Sequence, residues 1–170
     1  TYGGASLALG ENTLTVSGAG GLLNTNGLVL SNPSSVLNIL GSNTVSGPVS
    51  LSAGIIDVDE TSNLNSDLTL GGSATIDVAQ DKILTYSGAP LALGANTLTV
   101  SGAGTLSTPS GYVLGDPGSV LKLSGTNTVS GPLSLNAGVI DVDETTTLNS
   151  LTLGGSATID VDQGKTLTYG

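Results

Sequence analysis

The stretch Pro48-Val49-Ser50-Leu51-Ser52-Ala53-Gly54-Ile55-Ile56-Asp57-Val58-Asp59-Glu60-Thr61-Ser62-Asn63-Leu64 contains the whole fold in miniature. Val49 and Leu51 are apolar with Ser50 between them, and Ile56 and Val58 repeat the alternation around Asp57. A period of two is the signature of a half-buried strand. Ala53-Gly54 separates the two strands with small residues suited to a tight corner. Leu64 then adds a third inward position six residues after Val58.

The same three stations recur from end to end. First-station strands begin near Leu7, Leu28, Pro48, Leu68, Leu91, Tyr112, Pro132 and Leu151. The second station reads Leu14/Val16, Leu37/Ile39, Ile56/Val58, Ile76/Val78, Leu98/Val100, Leu121/Leu123, Ile140/Val142 and Ile159/Val161. The third contributes Leu22, Val45, Leu64, Leu84, Leu106, Val129, Leu148 and Leu167. From station two to station three the step is six residues throughout, which predicts one uniform corner. From station one to station two it runs 5, 7, 5, 6 and again 5, 7, 5, 6, as in loops that tolerate insertion.

That double rhythm marks a larger unit. Residues 1–84 align with 85–167 at 59 of 83 identical positions, with one gap opposite Asp67, and 168–170 begin a third copy with Thr-Tyr-Gly. The expected organisation is one continuous segment over 1–170, built of two units of four turns each. Near-identity of the units speaks for architecture rather than for two diverged chemistries.

Three short strands per turn, with like positions in register, predict an all-β fold, a right-handed parallel β-helix of about eight turns of ~20 residues. At ~4.8 Å per turn this makes a rod on the order of 40 Å long. The Thr, Val, Gly and Asn content and the lack of a sustained 3.6 period argue against helix. Regular apolar stations argue against disorder despite the Gly, Ser and Thr content.

Composition narrows the setting. The chain has no Cys, Met, Trp, Phe, His or Arg, which predicts a thin bore filled by Leu, Val and Ile rather than by large rings. A disulfide framework is excluded. Three Lys against thirteen acidic residues give a net charge of −10, and no basic face exists for nucleic acid or an anionic membrane. Runs such as Val36-Leu37-Asn38-Ile39-Leu40 are too short to span a bilayer. No initiator Met and no signal peptide are present, as expected of a segment taken from a longer precursor.

The block Ser124-Gly125-Thr126-Asn127-Thr128-Val129-Ser130-Gly131-Pro132-Leu133-Ser134-Leu135-Asn136-Ala137-Gly138-Val139-Ile140-Asp141-Val142, with its twin from Gly41 to Val58, resembles the passenger repeats of bacterial autotransporters and related filamentous adhesins. The likeness rests on G-x-N-T-x-S-G followed by A-G-x-I-x-V and covers about a quarter of each unit closely. It implies a secreted, right-handed β-helix serving as a stalk or adhesin at the cell surface.

One local cluster invites a chemical reading. Outward positions of station two run Thr15, Asn38, Asp57, Asp77, Thr99, Lys122, Asp141, Asp160, and the next outward position adds Asp59, Asp143 and Asp162. Asp141, Asp143, Asp160 and Asp162 should therefore form a four-carboxylate patch. Like charges at ~5 Å raise one another's pKa or attract a hard cation such as Ca²⁺. Known calcium signatures do not fit. An EF-hand begun at Asp57 or Asp141 meets Ser62 or Thr146 where Gly belongs, and Leu68 or Thr152 where Glu belongs. A solvated acidic face relieved by Lys122 is the simpler expectation, with no metal, cofactor or catalytic residue assigned.

Enzymatic readings find little footing. Without His or Cys there is no Ser-His-Asp or Cys-His arrangement and no common zinc set. Asp57 and Asp59 pair as glycosidase carboxylates do, yet on a convex strand with no aromatic platform beside them. Outward Thr13/Thr15 and Thr97/Thr99 hint at an ice- or crystal-binding array, interrupted at Val36/Asn38 and Val120/Lys122. The expectation is a non-enzymatic stalk, fibre or adhesin shaft outside the cell, whose partner is itself, by end-to-end stacking, with a host surface or matrix as a further partner. The alternative is a surface- or ligand-binding β-helix for ice, carbohydrate or weak calcium-dependent contacts. Open strand edges at both ends are the physical reason to expect filaments.

Overall fold

The computed structural model describes residues 4–170, and all secondary structure among them is strand. The Thr1-Tyr2-Gly3 start of the first repeat lies outside the described residues. The chain is a parallel β-solenoid of about eight turns, with three strands per turn stacked about 21 residues apart. Leu7 sits over Leu28 and Leu28 over Val49, as the first-station pattern requires.

One parallel sheet of eight strands runs the length of the molecule: Thr13–Val16, Val36–Ile39, Ile55–Val58, Ala74–Val78, Thr97–Gly102, Val120–Leu123, Val139–Val142 and Thr158–Val161. These strands define turns one to eight. Inward residues alternate with outward ones, so Leu37, Ile39, Ile56 and Val58 are fully buried while Asn38 and Asp57 face out. A second sheet of four strands, Leu7–Ala8, Leu28–Leu30, Val49–Leu51 and Leu68–Leu70, forms the first station of turns one to four. The third-station strands pair along a third wall, from Gly21–Leu23 to Leu167–Tyr169. In the second unit the chain runs straight through a corner, and the long strands Thr128–Leu135 and Thr146–Leu153 join that wall to the first station. Thr146–Leu153, one residue shorter than its counterpart for want of an equivalent of Asp67, is continuous where unit one breaks into Ser62–Leu64 and Leu68–Leu70.

The core is one continuous cluster of Leu, Val and Ile. It also holds rings. Tyr112, at an inward first-station position, is 1 % exposed, and Tyr86, which the spacing does not place inward, is 2 % exposed. The Tyr112 hydroxyl donates to the Leu106 carbonyl at 3.2 Å, giving the buried phenol a partner, and burial pushes its pKa up.

The uniform six-residue corner is corrected at turn four. Leu64 stacks on Tyr86 rather than on Leu84, and Leu84 lies over Ser62. The same substitution recurs in turn eight, where Leu148 faces Tyr169 and Leu167 faces Thr146. The cause is local. The amide of Lys82 donates to the Ala79 carbonyl at 3.1 Å, closing a tight turn with Asp81 at φ 61. Its counterpart is the Lys165 amide on the Asp162 carbonyl at 3.0 Å, with Gly164 at φ 79. The tight turn takes up chain, so Leu84 fills the outer inward place and Tyr86 the inner one.

The second station of turn five then sits two residues out of the expected register, while its third station keeps Leu106 on Leu84. Leu98 pairs with Ala74, Val100 with Ile76 and Ser101 with Asp77, whereas the spacing predicts Leu98 over Ile76. The columns of side chains step sideways by one pleat at this repeat junction. The first-station sheet cannot follow the step, and no pairing joins Leu68–Leu70 to Leu91–Ala92.

Candidate functional site

The G-x-N-T-x-S-G block is the most specific motif in the sequence, and its residues are occupied in tying one turn to the previous one. A Cβ on Gly41 would lie 1.8 Å from the Gly18 carbonyl oxygen, and on Gly125 1.9 Å from that of Gly102, so only glycine fits. The Asn43 amide donates to the Val16 carbonyl at 3.1 Å, and the Asn127 amide to the Val100 carbonyl at 3.0 Å. One turn later the Ser62 hydroxyl donates to the Gly41 carbonyl at 2.8 Å, and the Thr146 hydroxyl to Asn127 at 2.7 Å. These buried polar groups are satisfied within the stack, as burial demands.

The acidic face forms where the spacing places it, with one revision. Asp57 pairs with Asp77, and Asp141 with Asp160. The expected neighbour of Asp77 was Thr99, but the register step brings Ser101 there instead, and its hydroxyl donates to the Asp77 carboxylate. Thr99 falls between Thr75 and Lys122. The acidic column stays in two parts, as Thr99 and Lys122 in the sequence already divide it, and only the neighbour of Asp77 changes.

The two parts differ in charge balance. In unit two Lys122 reaches Asp141 at 2.8 Å and Asp143 at 2.6 Å, which holds its ammonium well above the usual lysine range. Half of the four-carboxylate patch is thus answered by one cation, while Asp160 and Asp162 stay exposed in the last turn. In unit one the matching residue is Asn38, whose Oδ1 is buried without a hydrogen-bond partner one strand from Asp57. Burial, then the charges of Asp59 and Asp77, raise the Asp57 carboxyl above its ordinary pKa. Among the described residues no three acidic side chains gather closely enough to hold a metal ion. Lys82 with Glu60 at 2.7 Å and Lys165 with Glu144 at 2.5 Å are equivalent pairs in the two units, so all three lysines bridge adjacent turns.

The sequence places the repeat junction, but its spacing gives no sign that the first-station sheet breaks there. Where the first-station sheet splits, a cleft of about 460 Å³ opens between turns four and five, lined by Asp67, Leu68, Leu70, Tyr86, Pro90 and Ala92 among others. Side chains replace the absent ladder. The Leu68 amide donates to the Tyr86 hydroxyl at 3.2 Å, and the Asn96 amide reaches the Leu70 carbonyl at 3.4 Å as well as Leu93 at 2.9 Å. Burial raises the Tyr86 phenol, partly offset by that backbone hydrogen bond. Among the described residues Asp67 is the only carboxylate on the cleft wall, and it accepts from the Ala89 amide at 3.2 Å. The signal that could have revealed it was the Thr-Tyr pair at 85–86, a bulky ring set every 84 or 83 residues in a chain otherwise poor in rings.

Comparison with protein-family models, with curated proteins and with solved structures finds no match to this chain.

Proposed function

We propose that this chain is a non-enzymatic structural segment, a rigid shaft whose length is set by the number of repeat units. The observation that carries this reading is the fate of the G-x-N-T-x-S-G block: its glycines, amides and hydroxyls are spent on the contact between successive turns. Residues conserved between the two units for a ligand would face solvent; these face the neighbouring turn. The inter-turn lysine pairs and the continuous apolar core support the same reading. A stack tied at every turn resists bending, and adding units lengthens it without new chemistry. Secretion and a place at the cell surface, as a stalk or adhesin shaft, belong to this proposal through the resemblance of the Gly41–Val58 and Ser124–Val142 blocks to autotransporter and adhesin repeats.

Tandem arrays of one, two and four units test it. In small-angle scattering the longest dimension should grow by about 20 Å for each four-turn unit while the cross-section stays constant. Arrays that grow in cross-section, or that bend back at each junction, would sink the shaft reading.

A further inference from the structure

Steps along the first-station wall are closed by the amide of the leading residue. Leu28 donates to the Pro48 carbonyl at 2.8 Å, Val49 to that of Asp67 at 2.9 Å, and Leu91 to that of Gly111 at 2.8 Å. By that pattern Leu68 should donate to Pro90, and it donates to the Tyr86 hydroxyl at 3.2 Å instead. Among the described residues, turn four to turn five is the one step of this wall without strand pairing.

The other two walls are fully tied at the same step. Ala74–Val78 pairs with Thr97–Gly102 over five residues, and Ile83–Thr85 pairs with Thr105–Ser107 over three. We propose that the repeat junction is a one-sided hinge: the four-turn units are stiff, and the shaft flexes between them by opening and closing the first-station cleft, with the second- and third-station ladders as the pivot. The proposal rests on the shaft reading and says where that shaft yields.

The kind of bond on each side is the physical reason. Bending elsewhere breaks a row of backbone bonds that hold only together. Across the cleft three side chains do the tying: Tyr86 accepts from the Leu68 amide at 3.2 Å, Asp67 from the Ala89 amide at 3.2 Å, and Asn96 donates to the Leu70 carbonyl at 3.4 Å. All three lie at or beyond the long end of the hydrogen-bond range, and each can turn about its own side-chain torsions and re-form. Segments held this way are drawn from the low-stability end of a structure.

Burial follows the same division. Leu68 and Leu70 are 6 % and 8 % exposed, against 1 % and 0 % for Leu28 and Leu30 on the same wall. Solvent therefore already reaches the wall at this step. Tyr86 plugs the gap from inside, and a Cβ on Gly88 would lie 2.6 Å from its ring, so the chain crosses into turn five flat against that ring. The ring stays with turn four through the Leu68 bond, while Pro90 and Ala92 on the facing side belong to turn five.

Paired nitroxide labels read the walls separately, because the chain has no cysteine of its own. Ser50→Cys with Ser134→Cys spans turns three to seven on the first-station wall, and Ile55→Cys with Val139→Cys spans the same turns on the second. Four steps of ~4.8 Å set each pair roughly 20 Å apart, a distance that pulsed dipolar electron paramagnetic resonance measures. The expected result is a distance distribution at least about twofold wider on the first-station wall than on the second. Tyr86→Phe should widen the first further and leave the second unchanged. The Leu68 amide should exchange its hydrogen at least about tenfold faster than those of Leu28 and Leu91.

Equal widths on the two walls overturn the hinge, as does Leu68 protection equal to that of Leu28. Widening of both walls together in Tyr86→Phe also overturns it, since the junction would then be loose all round. None of these results touches the shaft, because units stacked without a hinge still lengthen in line; arrays that fold back in the tandem-array scattering sink the shaft itself.

Discussion

The repeat junction and the two ends of the molecule are nearly the same sequence in different company. At the junction Ile76, Val78 and Tyr86 are closed over by turn five. At the C-terminal end the identical Ile159, Val161 and Tyr169 meet no further turn, and Tyr169 is 60 % exposed. The difference teaches that an isolated turn of this solenoid has no core of its own. Its apolar face becomes an interior only when a neighbour supplies the other wall, which is why such folds need several stacked repeats.

Paired substitutions at matching positions break or sharpen that comparison. The largest effect is expected from Ile76→Asp, which places a carboxylate between Ile56 and Val100 in a sealed ladder. It should cost about 4 kcal/mol or more and abolish a cooperative urea transition followed by circular dichroism. Ile159→Asp in dilute solution should cost less than about 1 kcal/mol, since half-exposed chain ends tolerate charge. Equal losses would mean that the end is already as closed as the middle.

Gly102→Ala comes next. Both Gly102, at φ +80, and Gly18, at φ +87, hold a left-handed backbone that costs an alanine about 1 kcal/mol. Only at Gly102 does the new methyl also strike the Val78 carbonyl, so it should lose roughly 3 kcal/mol against ~1 kcal/mol for Gly18→Ala. The midpoint difference in urea unfolding isolates the cost of the turn-to-turn approach.

Tyr86→Phe keeps the ring and removes the acceptor that replaces the broken ladder at Leu68. A stranded buried amide should cost about 1–2 kcal/mol, and Leu68 should lose protection in hydrogen exchange. Tyr169→Phe, at the open end, should change neither.

The smallest effect concerns charge next to the junction. The folded chain holds a proton on Asp57 more readily than the unfolded chain does, because its carboxyl is raised by burial and by Asp59 and Asp77. The Asp57 contribution to stability therefore improves as pH falls from neutral through that raised pKa to about 4, where the unfolded carboxyl also protonates. Asp57→Asn should flatten this part of the stability–pH curve. In unit two Lys122 answers the equivalent Asp141, and Asp141→Asn should weaken folding at neutral pH instead. Matching responses in the two units would mean that Lys122 is not setting their difference.

Much of this was legible in the residues themselves. Alternation at Val49/Leu51 and Ile56/Val58 was enough for strands, because the period of a strand is local geometry. Fixed spacing between copies was enough for parallel stacking, and it placed Asp57 beside Asp77 and Asp141 beside Asp160 correctly. The inter-turn role of the G-x-N-T-x-S-G block, by contrast, was not legible, since what crowds Gly41 lies 23 residues away at Gly18.

By itself, then, the sequence determined the strand pattern, the turn length and the repeat, all of which follow from the chemistry of neighbouring residues. Only the tertiary structure decided the sideways step at turn four, the burial of Tyr86 and the split of the first-station sheet. Those depend on how much chain the tight turn at Asp81 consumes and on which side chain then reaches the next layer, Leu84 or Tyr86. Counting six residues from Val78 to Leu84 cannot reveal it, because register is settled by packing between turns and not by distance along the chain.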